Sequence, residues 1–188
     1  MTLNTFKKYE LTDETIEWQG RILHRIRALK NIPEYNVKIG DLGGFIEKEE
    51  NLSHEGNCWI GGNSQVCDSA KVYDNALVKC YCIIYENAKI YGNSKVFVNC
   101  IIFGNSEIFD NAKLYGYCTI WDNAKIYNNA KIYEYGMVSG NSIVCDDSVV
   151  FGLGSVCGKS KVTGKSSVSD RSLIFDRSIN DLIVKESY

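Results

Sequence analysis

"NAKIYNNAKIYEYGMVSG", residues 123–140, sets a six-residue beat and then bends it. Asn-Ala-Lys-Ile-Tyr occurs twice, six residues apart, and at the next repeat Tyr135 and Gly136 stand where Asn and Ala are due. Stepping by six in both directions from Ile126 gives twenty consecutive positions from Ile60 to Ile174, every one of them Val, Ile or Leu. Two residues before each, from Cys58 to Ser172, stands Ala, Ser, Cys or Gly without exception. An amphipathic helix repeats its apolar residues at 3.6 and a half-buried strand at 2, so neither explains a period of six.

The period fits a coil with three flat sides, each a short strand, joined by tight corners. The large β-branched residue fills the interior of a side, and the small one fits where the chain bends inward. Asn or Gly at the corners, as in Gly92-Asn93 and Gly104-Asn105, tolerates left-handed backbone. Three six-residue units close one coil, so residues 18 apart stack, and stacking buries an apolar face that no single unit could bury alone.

Over residues 58–174 this pattern resembles the left-handed parallel β-helix of hexapeptide-repeat proteins, a family that includes acyltransferases such as serine acetyltransferase and the lipid A acyltransferases. The resemblance implies an all-β fold and supplies the handedness, since parallel crossovers are otherwise right-handed. Twenty units make nearly seven coils, a prism about 32 Å long at about 4.8 Å per stacked strand. The preceding segment, YELTDETIEWQGRILHRIRALKN followed by IGDLGGFIEKEENLSHEGNCWI, resembles the start of uncharacterised bacterial and prophage-encoded β-helix proteins in which a short β-unit leads into repeats of the type NAKVYG. That likeness carries no established activity.

Three units are expected: an N-terminal β-hairpin cap over 1–56, the β-helix over 57–174, and a C-terminal cap or subunit-reaching arm over 175–188. Ile16–Trp18 and Arg21–Ile26 read as a hairpin around Gln19-Gly20, and Asp41-Leu42-Gly43-Gly44 as a turn. Caps matter because each end of a β-helix offers unpaired strand edges.

A formal net charge of −2 over 188 residues gives no whole-molecule field toward nucleic acid or an anionic membrane. No 18-residue apolar run occurs, and the N-terminus lacks a signal-peptide core, so a cytoplasmic protein is expected, in the host cytoplasm if phage-encoded, with no membrane partner. The eight Cys follow the repeat and are read as free thiols. Cys82, Cys100 and Cys118, 18 apart in the inward small-residue slot, are read as apolar filler rather than metal ligands or disulfide partners. No metal or cofactor is expected.

The acyltransferases that carry this helix typically use a His as general base, a role suited to a group that titrates near neutrality. The two His here, His24 and His54, both precede the first repeat; His54 beside Glu55 is the one imaginable base. The long loop that those enzymes insert in the helix is absent from an unbroken beat, and no phosphate loop, GxSxG or HExxH occurs. The chain is therefore read as leaning away from catalysis.

Sorting the units by side gives three faces. On the first, the residues before the beat include Ile83, Ile101, Thr119 and Met137, with Tyr85, Phe103 and Trp121 after it. Tyr81, Tyr117 and Tyr135 lie on the preceding corner where Asn is usual. The second and third faces carry Lys at the matching position, including Lys89, Lys125, Lys113 and Lys131. The first face is thus expected to expose an apolar strip, the signature of an interface. Tyr81, Ile83, Tyr85, Ile101, Phe103, Tyr117, Trp121, Tyr135 and Met137 are its expected residues, and the stumble at 135–136 belongs to it. The expected occupant is a second copy in a dimer or trimer, or a host or partner protein. Lys alternating with aromatics on the other faces suggests nucleic-acid or nucleotide binding as an alternative, weakened by Asp74, Asp110 and Asp122 nearby. The leading expectation is a non-catalytic β-helical interaction protein of phage or prophage type that binds a host macromolecule, with inhibition of host defence as the role the resemblance implies; the enzyme alternative is a hexapeptide-repeat acyltransferase with an acyl-CoA-type donor.

Overall fold

All twenty beat residues from Ile60 to Ile174 point inward and are fully buried. They generate a parallel β-solenoid in the computed structural model, which describes residues 7–185. Each beat residue and the one before it form a strand of two to four residues, paired in parallel with the strands 18 residues before and after. The first face is a sheet of ten strands whose first two are antiparallel, leaving eight parallel ones, beside a seven-stranded second face and an eight-stranded third. The result is an all-β solenoid of about eight turns, against the nearly seven expected.

Two segments account for the difference. Beyond Ile174 the coil continues in steps of five rather than six: Ile179 and Val184 take the next two inward positions, in strands Ser178–Asn180 and Ile183–Val184. Their register with the coil before is 17 and then 16 residues (Val162 with Ile179, Val168 with Val184) instead of 18. Residues 175–184, expected in a separate cap or arm, thus lie in the last coil; the remainder of that unit extends beyond the described residues.

At the other end, β1 (Tyr9–Trp18) and β2 (Arg21–Ala28) form the expected hairpin, with Gln19 and Gly20 both at positive φ, 47° and 77°. That pair of left-handed residues matches the right-handed twist of the two strands. The segment 41–44 is not the expected turn. Leu42–Ile46 is a strand, β3, pairing antiparallel with β2 and parallel with the first coil. Gly43 and Gly44 serve close approach: a Cβ on Gly43 would lie 2.5 Å from Ile26 Cγ1 and 2.6 Å from the Ile60 carbonyl oxygen, and one on Gly44 would lie 2.5 Å from the Ser64 carbonyl oxygen.

At every corner from Gly62 to Asp176 the residue two after the beat has φ between 49° and 103°. This left-handed residue is most often Gly or Asp, and it stands before the corner Asn rather than being it. The Asn instead builds ladders: Asn87, Asn105, Asn123 and Asn141 pass side-chain hydrogen bonds from coil to coil at 3.0–3.1 Å. No helix among the described residues is long and apolar enough to cross a membrane.

Candidate functional site

The three corners differ in chemistry. Between first and second faces, and between second and third, the left-handed residue is always Gly, Asp, Asn or Glu, and carboxylates there accept the backbone N–H one coil on, as Asp74 does from Gly92 at 3.1 Å and Asp122 from Gly140 at 3.1 Å. These corners are saturated with polar contacts. Between the third and first faces the positions after the left-handed residue run Asn63, Tyr81, Asn99, Tyr117, Tyr135 and Leu153, and no side-chain ladder is possible where Tyr or Leu replaces Asn. Tyr117 and Tyr135 stack there instead, centroids 5.2 Å apart at 11°.

Two left-handed residues of this corner are also anomalous. Cys80 has φ 83° and Val98 φ 77°, a conformation that clashes with a β-branched side chain.

Within residues 59–175 every exposed large apolar side chain lies on this corner or its two flanks. Tyr81, Val98, Tyr117, Tyr135 and Leu153 form the edge itself; Ile101, Leu173 and Phe175 continue onto the first face and Tyr115 onto the third. The nine residues expected from the sequence all lie on this continuous surface: Ile83, Phe103, Trp121 and Met137 are half-buried beside the exposed edge. The surface wraps farther than expected, because the third-face column Phe97 and Tyr115, stacked at 5.3 Å, and Tyr133 and Phe151, at 5.1 Å, meets the edge from the other side. Val98, Tyr115 and Leu153 were not anticipated. The signal that finds them is the loss of Asn from one corner column.

One expected member is already engaged. The hairpin folds over the upper first face, where Leu23, Phe45 and Cys67 form a small outer core with Ile16, Trp18 and Tyr85. Trp18 packs on Tyr85 at 5.2 Å and heads the column Tyr85, Phe103, Trp121. Arg21 fixes the hairpin tip to Asp68 at 2.7 Å, and the Arg25 guanidinium lies 4.1 Å over the Phe45 ring. The open part of the band therefore lies below the hairpin, from Ile101 onward on this face.

Beside the band, Lys95, Lys113 and Lys131 stand opposite one another on successive third-face strands. Like charges in register repel, and among the described residues the ion pairs include none for these three; on the second face Lys125 reaches Glu107 at 3.6 Å.

His54 lies at the N-terminal cap, lining a cavity of about 450 Å³ with Glu49, Ser53, Lys71 and Tyr73. Its ring stacks on Tyr9 at 4.4 Å. Nδ1 accepts the Lys8 backbone N–H at 3.2 Å, and burial holds its pKa below the usual imidazole value, against the opposing pull of Glu49. The neutral ring so wired carries its proton on Nε2, which faces Glu49 at 3.8 Å. Its lone pair is committed to the backbone, so it is poorly arranged to take a proton from a substrate. Glu49, not the expected Glu55, is its carboxylate neighbour. His24 contacts the Thr12 carbonyl within the hairpin, at 3.3 Å.

Cys82, Cys100 and Cys118 occupy the buried column as read, and each thiol approaches main-chain carbonyls, such as those of Lys79, Phe97 and Tyr115, at 3.3–3.4 Å. All eight Cys are free. The flanking thiols of Cys118 and Cys82, and then burial, push the Cys100 thiol upward. Gly136 continues the column: a Cβ would meet Ile132 Cγ2 at 2.8 Å and the Val150 carbonyl oxygen at 2.9 Å.

No known family model matches the chain, and no curated protein matches its sequence.

Proposed function

We propose that the chain is a non-catalytic interaction protein that docks protein surfaces through the aromatic band on the third-to-first corner. The observation that carries this reading is that within residues 59–175 the exposed large apolar side chains are confined to that corner and its two flanks, since a contiguous apolar patch on a folded surface marks an interface and Tyr, Trp and Met are the residues interfaces favour. A second copy is the first occupant, in a dimer or trimer; a host protein is the second, through the part of the band that the oligomer leaves open. The lysine row beside the band favours a partner whose rim is acidic. The sequence likeness to hexapeptide-repeat and prophage-encoded β-helix proteins supports a left-handed coil and a phage-type inhibitor of host defence working in the host cytoplasm.

Light scattering on a sizing column tests the reading with wild type, Trp121→Lys and the double variant Tyr117→Lys/Tyr135→Lys. An oligomer that the substitutions dissociate supports self-association. A monomeric wild type whose capture of a host protein is lost in the double variant supports the foreign partner. If the substitutions change neither assembly nor capture, or His54→Ala alone abolishes activity, the band is not the site.

A further inference from the structure

Outside the band, a nucleophilic pair held in contact and used by nothing above lies under the hairpin. Lys8, the residue before β1, is completely buried, as is Cys58 at the start of the first coil. Lys8 Nζ is 2.9 Å from Cys58 Sγ and 3.3 Å from the Glu55 carbonyl oxygen, so its one oxygen acceptor is a long contact and it otherwise faces sulfur. Burial lowers the Lys8 pKa and raises that of Cys58, where the Lys8 contact only partly opposes it. Both groups are driven toward their neutral forms, and a neutral amine is a nucleophile. The sulfur is wrapped by residues 53–58, with the Ser53 and Glu55 carbonyls at 3.4 and 3.6 Å. Ser53 and His54 of that loop line the 450 Å³ cavity, so a single turn of chain separates the sulfur from solvent-accessible space.

We propose that Lys8 and Cys58 form a peroxide-responsive covalent latch, an S–N bond between Sγ and Nζ that ties the start of the hairpin to the first coil. The oxidant is hydrogen peroxide. The thiol passes its proton to Nζ, and the thiolate attacks one peroxide oxygen, breaking the O–O bond to give the sulfenic acid and hydroxide. The hydroxide takes the extra proton from Nζ and leaves as water. The freed amine attacks the sulfenic sulfur, the S–O bond breaks, and the hydroxyl group departs with one amine proton as a second water. Sulfur is oxidised by two electrons, one peroxide is reduced to two waters, and the link resembles the sulfenamide that cysteine forms with a backbone nitrogen. A dithiol cleaves it and is itself oxidised to a disulfide. The latch closes a gap of fifty residues in sequence between groups already in contact, and it fixes Lys8 and Tyr9 against the His54 loop beneath the cavity.

The test is peptide mapping of the folded wild-type chain after limited hydrogen peroxide, without reductant. The expected product joins tryptic peptides 8–21 and 49–71, is uncleaved after Lys8, weighs about 2 Da less than the two peptides together, and separates on dithiol treatment. Lys8→Arg, which keeps a donor to the sulfur but no nucleophilic amine, loses the joined peptide and accumulates over-oxidised Cys58; Cys58→Ser loses it while Cys67 remains in the same peptide. Cys58 recovered as sulfinic acid or unmodified, with Lys8 cleaved normally, overturns the proposal. So does equal joining in concentrated guanidinium chloride, where the folded contact is gone. The wild-type map decides the matter even if a variant fails to fold.

Discussion

Val98 holds a left-handed backbone, φ 77°, that glycine occupies at Gly116 one coil on. A left-handed β-branched residue costs about 1–2 kcal/mol, part of which glycine's greater loss of chain entropy returns. Val98→Gly is therefore expected to stabilise the fold by roughly 0.5–1 kcal/mol, seen as a higher denaturant midpoint at unchanged slope, while weakening whatever the aromatic edge binds. A variant that loses stability instead shows that Val98 packing outweighs its strain. His54 makes a second prediction. Because burial depresses its folded pKa, the unfolded chain takes up the proton first as pH falls; stability is full above the ordinary imidazole value of about 6.5 and declines below it. His54→Asn keeps an acceptor for the Lys8 N–H and should flatten the fall in melting temperature between pH 7.5 and 5.5. An identical fall in variant and wild type would assign it to other groups.

At the scale of elements, β3 joins hairpin to solenoid only because Gly43 and Gly44 let Ile26 and the first coil close on it. Gly43→Ala should cost roughly 1–3 kcal/mol, with hydrogen-exchange protection lost first in β1 and β2; retention of that protection would mean β3 can shift without penalty. On the aromatic edge, Asn99 interrupts the row between Tyr81 and Tyr117, so Asn99→Tyr should extend the stack and add about 0.5–1 kcal/mol, read as a higher melting temperature. The solenoid was legible in the sequence because each inward slot admits so few residue types. Ile179 and Val184 escaped because five-residue steps leave the six-residue beat without leaving the fold. Gly43-Gly44 was misread because glycine serves tight turns and close approach alike, and sequence alone does not say which. The first-face half of the band was legible from Ile83, Ile101 and Met137 standing where Lys is usual. The third-face half was not, since Phe97 and Tyr115 resemble Tyr91 and Phe109 of the second face until the corner beside them is known to lack its Asn ladder.

Across the whole molecule each coil touches only its neighbours, so stability is a sum of adjacent interfaces rather than of one central core. Hydrogen exchange should be slowest around Ile120 and Ile132 and fastest at Ile179 and Val184, in the last described coil; uniform protection would indicate a single cooperative unit. With all eight Cys free, the melting temperature in the absence of peroxide should be the same with and without reductant. The asparagine rows, finally, give the molecule a direction. Along Asn87, Asn105, Asn123 and Asn141 each side-chain amide but the last donates to the next coil's amide oxygen, so their dipoles add, as peptide dipoles do in a helix. On the next corner Asn128 and Asn129 donate to Asp146 and Asp147, at 2.9 and 3.1 Å, setting acceptor-only carboxylates where the N–H groups point. The aligned row and these one-way contacts all point their N–H groups toward the last coil, so the long axis is electrically polar: a charged body approaching the hairpin end and one approaching the last coil meet different fields from the same repeated unit.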